Sequence, residues 1–126
     1  MREPALLVVD GANVVGSVPD GWWRDRPAAA AKLRDALVPV ANGGLPKVST
    51  SVEVVLVVEG VAARLAEVPG VRVVRADGSG DDAIVELVKG RLPDRKCVVV
   101  TADRELRSRV GALGASVLGP RSLPYP

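Results

Sequence analysis

Five short apolar runs, dominated by valine, recur along this chain: Ala5 to Val9, Val52 to Val58, Val71 to Val74, Cys97 to Val100 and Ala115 to Leu118. Runs of this kind suit strands covered on both faces, where no side is left for polar residues. The segments between them change period. Pro27 to Ala41 is rich in alanine and leucine, with Asp25 or Arg26 placed to cap it and Pro27 in its first turn. That pattern predicts a helix, which Pro39 kinks or ends early. Gly60 to Glu67 predicts a short helix, stopped by Pro69 and Gly70. Asp81 to Leu92 sets Ile84, Leu87 and Val88 on one face, and Asp103 to Leu113 sets Leu106 four residues before Val110. Asn42 to Ser51 and Ala76 to Gly80 carry the glycines and serines of loops. The order is β-α-β-α-β-α-β-α-β, which argues for an α/β fold with a parallel sheet flanked by helices. The 126 residues suffice for one domain, expected over residues 1–118, followed by an irregular tail over 119–126 that carries three prolines.

Composition narrows the chemistry. There is no histidine, which removes histidine-based triads, an imidazole base and an imidazole metal ligand. The one cysteine, Cys97, excludes an intrachain disulfide and a zinc knuckle, and its place inside a strand reads as a buried small hydrophobe. This fits a cytoplasmic location. No apolar run reaches the roughly 18 residues of a membrane span, and the N-terminal apolar stretch, interrupted by Asp10, reads as a core strand and not as a signal peptide. Aromatics make up only 2%, too few for a platform of stacked rings on which single strands are read. The net charge of +2 permits a polyanionic partner without demanding one.

The acids fall at telling positions. Asp10 follows the first strand and Glu59 the second. Asp81 and Asp82 follow the loop after the third, and Asp103 follows the fourth. All five lie at carboxyl ends of strands, the edge where open parallel sheets build their sites. Like charges gathered there repel one another, and a hard cation bound by oxygen, Mg²⁺ or Mn²⁺, would offset the cost. Such ions can activate water and stabilise a leaving oxygen in phosphodiester hydrolysis. Simpler roles compete. Taken singly, Asp81 and Asp103 read first as helix N-caps, and Glu59 reads equally well as an exposed helix-start acid. Asp10 reads as functional, since it ends a buried strand just before Gly11. Asn13 suits a turn, or the orientation of a water or phosphate oxygen. Arg104 is near enough to the rim in sequence to meet phosphate, whereas Arg107 and Arg109 read as a solvated face. Trp22 and Trp23 suit core burial or a partner contact better than base stacking.

Three segments, VVDGANVV at 8–15, GSGDDAIVELV at 78–88 and VVVTADRELRSRV at 98–110, together resemble the NYN/YacP-like branch of the PIN-like nuclease superfamily. The resemblance implies a three-layer α/β/α sandwich whose five-stranded parallel sheet has the order 3-2-1-4-5, so that Asp10 and Asp103 become neighbours. It implies metal-dependent RNA cleavage leaving a 5′-phosphate and a 3′-hydroxyl. It makes Asp10 the first acidic ligand and Asn13 the polar partner of a DGxN element. Asp81 and Asp82 become the acidic pair opening a helix, and Asp103 the acid of a T-x-D element. Glu59 stands where such sequences often carry Asp.

Other strand-end acids fit less well. A haloacid-dehalogenase-like phosphatase would want a second Asp where Ala12 stands, and a dinucleotide site would want the middle glycine that GANVVG lacks. A VapC-type toxin shares length and superfold, but its first motif normally lacks the DGxN form. The expectation is a metal-dependent ribonuclease in which Asp10, Asp81, Asp82 and Asp103 hold Mg²⁺ or Mn²⁺, Asn13 positions water or substrate, and Arg104, Arg24, Arg26 and Lys47 contact the RNA backbone. The competing expectations are a non-catalytic RNA- or protein-binding module on the same fold, and hydrolysis of a small phosphorylated metabolite.

Overall fold

The computed structural model describes residues 4–46, 48, 51–91 and 93–126. Its strands are β1 (Ala5–Asp10), β2 (Val52–Val58), β3 (Val71–Arg75), β4 (Cys97–Val100) and β5 (Ser116–Leu118). They form one parallel sheet in the order β3-β2-β1-β4-β5. The helices are α1 (Gly11–Gly16), α2 (Arg26–Ala36), α3 (Val38–Gly43), α4 (Gly80–Gly90) and α5 (Arg104–Gly111). The expected α/β sandwich and its strand order are both observed.

The alternation of side chains across a strand explains the layers. Leu7 and Val9 of β1, Val54 and Leu56 of β2, and Val98 and Val100 of β4 pack with Val14, Ala29, Leu33, Leu37 and Val40 of the α1 to α3 segment. Their neighbours Leu6, Val8, Val55, Val57, Cys97 and Val99 pack with Ile84 and Val88 of α4 and with Leu106 and Val110 of α5. Both faces of the central strands β1, β2 and β4 are therefore covered, and valine can occupy nearly every position there. Leu33 is fully buried, and its truncation to alanine should cost about 2–5 kcal/mol.

The helix expected over Pro27 to Ala41 is two helices meeting at Leu37. Pro39 lies in the first turn of α3, where its missing N–H costs nothing. Asp25 caps α2, accepting from the Ala28 N–H at 3.1 Å. The segment after β2 is a 3-10 helix over Gly60–Arg64, shorter than the helix expected to Glu67. α1 was not expected. At six residues, with glycine at both ends, it shows no apolar period to read. The tail is more ordered than its prolines suggested: Pro120–Ser122 forms a 3-10 turn, and Leu123 and Tyr125 are buried in the core beside α2. No helix among the described residues is long and apolar enough to cross a membrane.

Candidate active site at the carboxyl edge of the sheet

The connections reverse direction between β1 and β4, which are adjacent although most of the chain separates them. A crevice opens at such a point in open α/β sheets. Asp10 ends β1 there, and Thr101 follows β4. Counting along the strands in twos from Val8 and Val99 places both side chains on the α4/α5 face. Both are buried, Asp10 at 6% and Thr101 at 0% exposure, and Asp10 is the one carboxylate so deeply buried among the described residues.

A polar network ties the two strand ends together. Thr101 Oγ1 donates to Asp10 Oδ2 at 2.9 Å and accepts from the Asp103 N–H at 3.1 Å. Asp10 Oδ1 accepts from the Asn13 N–H at 3.4 Å, which makes Asp10 the N-cap of α1. Asn13 Oδ1 in turn accepts from the Ala102 N–H at 2.8 Å. Asp103 Oδ1 caps α5 through the Leu106 N–H at 2.9 Å. Asn13 therefore stitches α1 to the β4 exit, and Asp103 fills the capping role that its position suggested.

The remaining acids approach from β2 and α4. Glu59 continues β2 in extended backbone, and its Oε2 accepts from the Gly80 N–H at 2.5 Å. It thus supplies an acceptor at the start of α4, across the loop. The cap of α4 is Ser79, whose Oγ accepts from the Asp81 N–H at 3.1 Å. Asp81 is therefore not the cap. It lies in the first turn, its carboxylate free of that duty. Asp82 is exposed and pairs with Arg109 of α5 at 3.1 Å.

Asp10, Asp81, Glu59 and Asp103 lie near enough to act on one another's charge. Burial pushes the Asp10 carboxyl above its ordinary value; the hydrogen bonds from Thr101 and Asn13 pull it down, and the charges of Asp81 and Glu59 push it up further. Burial also raises Asp81, aided by Asp103 and Glu59 and opposed by Arg109. Both groups resist ionisation for the same two reasons, desolvation and like charge. The donor chemistry, carboxylate oxygens with no histidine or thiolate among them, suits a hard cation. No group of three or more such side chains among the described residues is arranged to hold one ion. Asp10, Asp81, Glu59 and Asp103 thus bear on one another's charge, with several of their oxygens already engaged by backbone N–H groups and by Thr101.

Of the basic residues expected to meet phosphate, Arg104 is exposed in the first turn of α5. Arg24 and Arg26 are exposed and lie over the rings of Trp23 and Trp22, at 5.9 and 5.6 Å from the ring centroids. Lys47 lies outside the described residues. Thr101, the threonine of the T-x-D element, bridges the Asp10 carboxylate and the α5 cap with one hydroxyl. Its signal was the T-x-D spacing, which lets one hydroxyl serve its own strand end and the next helix cap.

No protein-family model matches the chain, and no curated protein matches it in sequence. Among solved structures it is similar to the crystal structure of a mutant of Rae1 (YacP) from Bacillus subtilis, with a TM-score of 0.65 and 19% sequence identity. The likeness covers 94% of this chain and 71% of the other. It shows the fold, and that fold is the one implied by the resemblance of the three sequence segments.

Proposed function

We propose that this protein is a metal-dependent ribonuclease, with its site where β1 and β4 part. The carrying observation is the buried Asp10, coupled electrostatically to Asp81 and Glu59 and fixed by Thr101 at the crevice. A buried acid with a raised pKa beside other acids is an expensive arrangement for a purely structural role, and such groups concentrate at functional sites. The fold likeness and the three sequence segments support the nuclease reading.

Asp10, Asp81 and Asp103 are the residues that would hold Mg²⁺ or Mn²⁺, with Glu59 beside them; Asp82 would first have to leave Arg109. When bound, the ion would supply charge to activate water and to stabilise the leaving oxygen. This chain's own residues do the positioning. Thr101 fixes the Asp10 carboxylate, and Asn13 holds the β4 exit against α1. Arg104, exposed at the start of α5, would meet a backbone phosphate.

The test is cleavage of labelled single-stranded and structured RNA in Mn²⁺, Mg²⁺ or EDTA. Cleavage should need the ion and should fall at least 100-fold in Asp10→Asn. Activity that survives EDTA or this substitution refutes the mechanism. A second reading, a non-catalytic binding module, is favoured by the lack of a ready three-ligand cage among the described residues. Calorimetric titration with Mn²⁺ separates the two. The nuclease should bind the ion, and more weakly as Asp81→Asn; RNA binding without ion binding or cleavage would favour the module.

A further inference from the structure

A cleft of about 230 Å³ opens on the opposite side of the same sheet edge, toward α1 and α2. Leu33 and Leu56 line it from the core, and Gly11 and Ala12 from the start of α1. Trp22 and Arg26 bring an aromatic ring and a guanidinium, and Glu59 belongs both to this cleft and to the acid rim. The space is smaller than the roughly 300–1,000 Å³ of ordinary small-molecule pockets, so it suits one ring system and not a whole cofactor.

We infer that this cleft seats a single nucleobase of an RNA strand lying across the acid rim, an assignment that rests on the nuclease reading above. An apolar slot beside an aromatic ring suits a flat heterocycle. The surrounding charge suits what such a base carries with it. Arg24 and Arg26 are exposed, and neither forms an ion pair among the described residues, so both are free to meet the phosphates flanking the base. Trp22 is half-buried, with its ring 5.9 Å from that of Trp23 and nearly perpendicular to it. The edge contact and the Arg26 guanidinium fix the Trp22 ring as one wall. Gly11 and Ala12 line the cleft directly after Asp10, and Glu59 borders both cleft and rim, so a base held here would direct its sugar and phosphate over the sheet edge toward the carboxylates. A sheet of aromatic rings is not needed when one nucleotide is gripped.

The chain has only two tryptophans, which gives a direct readout. In Trp23→Phe the remaining Trp22 reports on the cleft alone. The probes are a single-stranded RNA hexamer and an abasic sugar-phosphate hexamer, titrated in EDTA so that nothing is cleaved. The RNA should quench Trp22 fluorescence and bind about 10-fold or more tighter than the abasic strand, the scale of one lost base stack. Ala62→Leu, which fills the cleft from the segment after β2, should abolish both the quench and the preference. Trp22→Ala, read by anisotropy of a labelled hexamer in the otherwise native chain, removes the opposite wall and should likewise equalise the two strands. Equal affinity for both strands in the parent protein, or a base preference untouched by a folded Ala62→Leu or Trp22→Ala, overturns the assignment. Binding that depends on the base without any metal-dependent cleavage sinks the nuclease reading and leaves the cleft standing. Cleavage without base preference does the reverse.

Discussion

Thr101 Oγ1 meets Asp10 Oδ2 at 2.9 Å across the seam between β4 and β1, and this hydroxyl is the only side-chain donor to the buried carboxylate among the described residues. The same oxygen accepts from the Asp103 N–H. Thr101→Val keeps the shape and removes both bonds, leaving a buried acceptor and a backbone donor unmatched. Its cost should be about 1–3 kcal/mol in urea unfolding, with Thr101→Ser recovering most of it. A valine variant as stable as the parent would mean that water replaces the hydroxyl and that Asp10 is wetter than its burial implies.

Asp10 and Asp81 should make the protein less stable as pH rises. Their carboxyls are raised in the folded state, so the fold favours the protonated form. Below the unfolded-state pKa of an aspartate, about 3.9, both states are protonated and there is no penalty. As pH rises through the folded values, the native state must ionise a desolvated group and stability falls. Asp10→Asn should therefore gain on the parent protein between pH 4 and pH 7 in metal-free buffer, read as the difference in urea midpoints. A gap that shrinks over this range would reverse the assigned sign.

Adding Mn²⁺ should undo that disadvantage. An ion that binds only the folded chain stabilises it by about 2.7 kcal/mol at 100 times its dissociation constant. The melting temperature of the parent protein should climb with Mn²⁺ while that of Asp10→Asn stays nearly flat. Parallel shifts in both proteins would place the ion elsewhere.

The two acids opening α4 should behave differently. The exposed Asp82 to Arg109 pair is worth only about 0–1 kcal/mol. Asp82→Asn should leave stability nearly unchanged and reduce cleavage only mildly, whereas Asp81→Asn should reduce it strongly. Equal losses would show that Asp82 abandons Arg109 when the ion binds.

Gly80 and Glu59 should be coupled. A methyl on Gly80 would lie 2.6 Å from Glu59 Oε2, so alanine there expels the carboxylate from the start of α4. Alanine otherwise favours a helix over glycine by up to about 1 kcal/mol. Gly80→Ala should therefore stabilise the Glu59→Ala background and fail to stabilise the parent. Additive effects in this double-mutant cycle would mean that Glu59 makes no useful contact with Gly80.

The valine-rich runs and the alternation of period made the sheet legible, because strands covered on both faces carry few polar residues. Strand order came from the three-segment resemblance, since no local pattern says which strands pair. The site was legible as a set of positions at carboxyl ends. Its wiring was not. That Ser79 and not Asp81 caps α4, that Asp82 pairs with Arg109, and that Glu59 spans from β2 to Gly80 depend on how separate elements pack. α1 leaves no periodic signature, because Val14 and Val15 alone cannot display a helical period. Asp10 as its cap was the available signal.

The bond between Asp10 and Thr101 spans 91 residues of sequence. Loop-closure entropy opposes such a distant pairing until the intervening elements have docked. A chain emerging from the ribosome would therefore lack the crevice until β4, at residues 97–100 of 126, has been made and inserted beside β1. Whatever chemistry the finished protein performs is withheld from its own partly synthesised form by topology alone.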